Sequence, residues 1–233
     1  MTAAPTTWTP GRMPGRLAGW LAFVLALTAL AYAARLADTE TPDDLAYRWS
    51  SSVAALVQYG LMLGILLLIA RGLSKREMFA LRRPASWPRA LGLAFLSLLV
   101  IWAASAALSP FLDASDEQGL VPDDWDSSRA GAFVAFFLVV AVLAPVVEEL
   151  TYRGLGFSLL APYGTWVAIL VTGVLFGAAH GLVAGLPVLT IFGIVVAWLR
   201  SRTGSVYPSM LLHGVFNGTA LLRLRRAAVG WFK

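Results

Sequence analysis

Ala144-Pro145-Val146-Val147-Glu148-Glu149-Leu150-Thr151-Tyr152-Arg153-Gly154 is the stretch on which the reading of this chain turns. Between Arg129 and Arg200 the only formal charges are Glu148, Glu149 and Arg153, and all three fall within it. The sequence around them is apolar over lengths that fit membrane-spanning helices. A carboxylate at the centre of a bilayer costs about 2.5–3.5 kcal/mol on insertion scales, so an adjacent pair marks a site. Residues four apart on a helix share a face, which pairs Glu149 with Arg153. Glu148 points about 100° away from Glu149. It has no evident partner on its own helix and is the candidate general base or acid.

The rest of the composition agrees with a membrane setting. Of 233 residues, 58% are hydrophobic and only 13% charged, against about 25% charged in ordinary soluble domains. The mean hydropathy is +0.73. These values predict an all-α, polytopic transmembrane bundle of about seven or eight spans. Apolar segments fall at 17–34, 53–70, 90–108, 131–147 (continuing through Glu148 and Arg153 towards Leu160), 165–180, 187–200 and 206–222. Residues 1–16 read as a disordered tail, 17–222 as a single integral membrane domain with its core at about 130–220, and 223–233 as a basic tail. Ala31-Tyr32-Ala33 resembles a signal-peptidase site. The apolar run before it exceeds the about 7–15 residues of a signal peptide, so a retained first helix is expected. There are no cysteines, which excludes thiol nucleophiles, disulfides and thiolate metal sites.

Loop charges predict an orientation. Residues 71–89 carry Arg71, Lys75, Arg76, Arg82, Arg83 and Arg89 against Glu77, whereas 35–52 and 109–130 are dominated by Asp and Glu. The positive-inside rule then places 71–89 and the N-terminus in the cytoplasm. Seven full crossings would put the basic tail outside, against the same rule, unless one segment is a half-span or an eighth crossing exists. The net charge of +5 is read as topology and lipid contact rather than nucleic-acid binding. Trp20, Trp49, Trp87, Trp125, Trp198 and Trp231 fall near span ends and read as interfacial anchors.

The two histidines stand among small residues. His180 closes Phe176-Gly177-Ala178-Ala179-His180, and His213 opens His213-Gly214-Val215-Phe216-Asn217, which puts His213 and Asn217 on one face. Small residues let membrane helices approach closely and bring polar groups together. Glu148 lies about 14 residues before the Pro162 turn and His180 about 16 after Gly164, so at about 1.5 Å per residue their depths are similar. Phe176 reads as packing, and Glu149 with Arg153 as a structural clip.

Glu148-Glu149-x-x-x-Arg153, Phe176-x-x-x-His180 and His213-x-x-x-Asn217, in this order on successive helices, resemble the CPBP family. These are the CAAX-protease and bacteriocin-processing intramembrane endopeptidases, also called Abi. The resemblance covers roughly residues 130–220. It implies a polar active-site cavity between the helices of the C-terminal half and a glutamic protease in which Glu148 and His180 hold and activate water. His213 and Asn217 would stabilise the oxyanion, with Glu149, Arg153 and Phe176 in support. It implies no cofactor; zinc held by the carboxylates and histidines is the alternative, although no H-E-x-x-H is present. The implied partner is a membrane-associated protein or peptide, and a bacterial inner membrane is the expected setting. A non-catalytic scaffold or immunity protein, or a small proton-coupled carrier, would use the same cluster differently.

Overall fold

The fold is described from a computed structural model that covers residues 11–37, 44–112 and 125–222. Among these residues all regular structure is helical. We number the principal helices α1 (Pro14–Leu36), α2 (Trp49–Ile69), α3 (Trp87–Leu108), α4 (Ser127–Tyr163), α5 (Thr165–Ala178), α6 (Leu186–Thr203) and α7 (Tyr207–Leu221). Each apolar segment of the sequence forms one of them. Five, namely α1 to α4 and α6, are long and apolar enough to cross a membrane. α5 and α7, with 14 and 15 residues, fall short of the about 20 residues of a full span. The seven or eight full spans expected are thus five of span length and two short helices.

Several boundaries move outward. α1 begins at Pro14, inside the stretch expected to be a disordered tail. Proline suits the first turn of a helix, because its missing N–H would have no intrahelical partner there. The first ten residues and the basic tail 223–233 lie outside the described residues, as do Trp231 and most of the acidic loop positions. α3 starts at Trp87 behind Ser86, whose Oγ accepts the Arg89 N–H, an N-cap that ends the basic loop.

α4 is the central element. It runs for 37 residues, with two widened π-helical stretches, Val139–Leu143 and Leu150–Gly156. Pro145 explains the first. It has no N–H to give the Ala141 carbonyl and its ring crowds that carbonyl, so the turn before it opens. Gly214 of α7 packs onto the freed group: a Cβ there would lie 2.7 Å from the Ala141 oxygen. Side-chain donors take other carbonyls in the widened stretches. Asn217 Nδ2 donates to Val140 O at 3.0 Å, Trp20 Nε1 to Thr151 O at 3.0 Å and Arg200 Nε to Arg153 O at 3.1 Å. Helices of α, π and α type are therefore stitched to α1, α6 and α7 at the points where their own ladder is irregular.

Trp20 corrects an expectation. It is not an interfacial anchor but is fully buried, with its ring against Gly156, where a Cβ would collide with the indole. Trp49, Trp87 and Trp125 are exposed near helix ends, as expected. α5 and α6 make the closest helix pair: a Cβ at Gly173 would fall 2.7 Å from the Ile194 nitrogen. The glycine pair Gly173 and Gly193 lets these backbones touch.

Candidate active site

The polar residues singled out from the sequence converge on α4. Glu149 and Arg153 are both fully buried, and Arg153 Nη1 donates to Glu149 Oε1 at 2.9 Å, one helical turn apart. Arg153 Nη2 donates to the Gly193 carbonyl at 2.9 Å, fixing α4 to α6. The guanidinium lies 4.5 Å from the centre of the Phe176 ring. Phe176 is thus packing with a charge on its face, worth about 0.5–2 kcal/mol. Its ring also meets those of Phe192, His180 and His213 at 5.3, 4.7 and 5.6 Å. One aromatic therefore sets the position of both histidines.

Glu149 does more than clip its helix. Its Oε1 also accepts from His213 Nδ1 at 2.9 Å. A carboxylate only accepts here, so His213 carries its hydrogen on Nδ1, and Nε2 turns to the other carboxylate, 3.8 Å from Glu148 Oε2. Same-helix spacing could show the contact with Arg153 but not this one, which spans 64 residues. The two adjacent glutamates are divided by the imidazole, one on each ring nitrogen.

His180 is held in the same way by a different acceptor. Its Nδ1 lies 2.8 Å from the Phe176 carbonyl. A carbonyl accepts, so the proton sits on Nδ1 and neutral His180 offers the Nε2 lone pair. The chain turns sharply just after it, at Gly181, whose φ of +67° suits a residue without a Cβ. A Cβ there would also come within 2.9 Å of Ala31, so α1 closes directly over the end of α5.

Glu148, His180, His213 and Asn217 line one cavity of about 160 Å³, enough for several water molecules. Asn217 spends one amide hydrogen on Val140 O and keeps a second. The Glu148 side chain is 13% exposed where that of Glu149 is fully enclosed, which makes it the carboxylate that water reaches. Glu148 has no lysine or arginine partner among the described residues. Its partner is Tyr59 of α2, whose hydroxyl donates to Oε1 at 2.7 Å.

Tyr59 is the residue missed in the sequence. It is a lone tyrosine in an apolar run, 89 residues from the group it touches, and no periodicity or motif points to it. Its place is notable for a second reason. A groove of about 810 Å³ between α1 and α2, walled by Leu27, Leu30, Val57 and Leu61, shares Tyr59, Glu148 and His180 with the small cavity. The polar chamber and the apolar groove meet at these three side chains. Among the described residues no three His, Asp or Glu side chains are disposed to hold a metal ion.

No curated protein and no solved structure matches the chain. Residues 130–219 match the family model Rce1-like, described as type II CAAX prenyl endopeptidase Rce1-like. This segment contains all three motifs, and the protein that carries it among apolar helices is an integral membrane protein that resembles the CPBP/CAAX-protease family over residues 130–219.

Proposed function

We propose that the protein is an intramembrane endopeptidase of glutamic type, acting on a membrane-associated protein or peptide. The observation that carries this reading is the division of the glutamate pair. Glu149 is sealed between Arg153 and His213, while Glu148 faces a water-sized cavity beside His180 without a neutralising arginine or lysine. A scaffold gains nothing from a carboxylate left in that position.

The steps follow from the donors and acceptors. Glu148 takes a proton from a water in the cavity while His180 Nε2 accepts that water's other hydrogen and aims its oxygen. The oxygen attacks the scissile carbonyl carbon. The oxyanion receives the second Asn217 amide hydrogen and the Nε2–H of a His213 that enters the step protonated on both nitrogens, keeps both protons through it, and is balanced by Glu149 through Nδ1. Each such donor contributes about 2.7–4 kcal/mol in soluble proteases. Glu148 then hands its proton to the departing amine and the C–N bond breaks. Tyr59 holds the Glu148 carboxylate in position. The groove between α1 and α2 offers an apolar route along which a membrane-embedded segment reaches the chamber. This scheme needs no metal. The setting we assign is a bacterial inner membrane with the 71–89 loop in the cytoplasm.

The test is cleavage of membrane-associated peptides by the purified protein in liposomes. Glu148→Gln and His180→Ala are expected to abolish cleavage while the protein stays folded. Full activity in Glu148→Gln overturns the base assignment, and activity lost to a chelator and restored by zinc overturns the metal-free scheme. Proteomes of a deletion strain and a Glu148→Ala strain should accumulate the same uncleaved precursor. Accumulation in the deletion strain alone would favour a scaffold.

A further inference from the structure

A separate cavity of about 940 Å³ opens beside the first turns of α3 and α7. Its lining combines the cationic Arg76, Arg82 and Arg83 with Trp87, Tyr207 and Leu211. Trp87 and Tyr207 each open their helix, the level at which aromatic side chains sit at a membrane boundary. Leu211 continues along α7 with half of its surface exposed. Guanidinium groups above an aromatic rim and an aliphatic wall match the cross-section of an anionic phospholipid.

The cationic lining is built rather than merely solvated. Arg82 is half-buried, and its Nε donates to Gly204 O at 2.7 Å, leaving the terminal nitrogens for a ligand. The segment before it is anchored: Met78, Phe79 and Ala80 are buried, and Val206 N donates to Ala80 O at 3.2 Å. Gly154 of α4 backs it, since a Cβ there would stand 3.1 Å from Phe79 Cα. Arg200, only 5% exposed, is turned away to α4, its Nε donating to Arg153 O at 3.1 Å. Among the described residues Arg82 has no carboxylate partner, so an anion at this place meets a charge that no acidic side chain neutralises.

We propose that this cavity binds the phosphodiester headgroup of an anionic phospholipid, with an acyl chain along Leu211. The experiment is native mass spectrometry of the full chain in neutral detergent, titrated with phosphatidylglycerol, phosphatidylcholine or inorganic phosphate. Saturable binding of phosphatidylglycerol is expected, with none of phosphatidylcholine over the same range and no competition from phosphate. Arg76→Gln with Arg83→Gln should weaken it about tenfold or more. Arg89→Gln, an equal loss of charge outside the cavity, should leave it unchanged. Leu211→Ser, which alters no charge, should also weaken it. Equal weakening by Arg89→Gln means diffuse attraction and overturns the site; unchanged affinity in the arginine pair overturns its location. Competition by phosphate overturns the lipid assignment in favour of a free anion. Melting of each variant without lipid is compared with wild type, so that loss of fold is not counted as loss of binding.

Discussion

α2 and α4 are both apolar helices of span length, yet they are built for opposite surroundings. Only 17% of the most apolar window of α2 is buried, against 44% for α4. α2 shows Leu56, Val57, Leu61 and Leu68 outward and its ladder is regular. Between residues 130 and 160 α4 carries three charges, a proline and two widened turns, and every residue from Thr151 to Leu160 is enclosed. Irregular backbone is tolerated in a membrane only where neighbouring groups satisfy it. The donors from Trp20, Arg200 and Asn217 meet that condition, and they come from α1, α6 and α7. The difference teaches how labour is divided. The later helices make the polar site, and the first two form a lipid-facing wall that touches it at a few points, Trp20 and Tyr59 foremost.

The sharpest break of this contrast lies within α4. Glu148→Gln removes a base exposed to the cavity and should lower kcat by about 10²–10⁴-fold with little change in Tm. Glu149→Gln leaves Arg153 buried without its counter-charge, which costs about 3–5 kcal/mol. At about 2–4 °C per kcal/mol for a chain of this size, its thermal transition should fall by roughly 6–20 °C. Measuring activity and melting on both variants separates the two carboxylates. Equal effects on both readouts would mean the pair acts as one unit.

Much of this division was legible in the sequence. Seven apolar segments, the four-residue step from Glu149 to Arg153 and the His213–Asn217 step all depend on spacing along one helix, and the fold keeps them. Contacts between helices were not legible. Glu149 to His213 and Tyr59 to Glu148 join residues whose separations carry no period. Trp20 misled because position near a span end suggests an interface, whereas the decisive partner is Gly156 on another helix. The widened turns had one visible cue, Pro145, and no cue for the second stretch.

Tyr59→Phe tests whether the wall contributes to chemistry. A hydrogen bond to a charged group is worth about 1.5–3 kcal/mol, so kcat should drop by about 10- to 100-fold while KM holds. A change confined to KM would assign Tyr59 to the groove alone. Trp20→Phe probes the wall's other contact. It strands the Thr151 carbonyl, at about 1–3 kcal/mol, and should lower Tm by several degrees while leaving kcat near wild type.

The smallest effect is expected where the two regions are clasped outside the membrane. Arg129, at the start of α4, donates to Asp44 Oδ2 at 2.8 Å and to Asp126 Oδ2 at 2.6 Å, tying the segment before α2 to the head of α4. Ser128 and Arg129 hold the Asp126 carboxyl below its ordinary 3.8, at about 2, and Arg48 with Arg129 lowers that of Asp44. A carboxyl depressed in the folded state stabilises above its unfolded pKa, and the contribution disappears as pH falls through the folded one. The clasp should therefore be intact above about pH 4 and be lost between there and about pH 2, the span between the ordinary and the folded value. Exposed pairs of this kind are screened by salt and weak, so Asp126→Asn should shift Tm by a degree or less at neutral pH. Its signature is instead a flatter dependence of Tm on pH across the acid window at low salt. The same slope in Asp126→Asn and wild type would show that the first helices are held to α4 by their buried contacts alone.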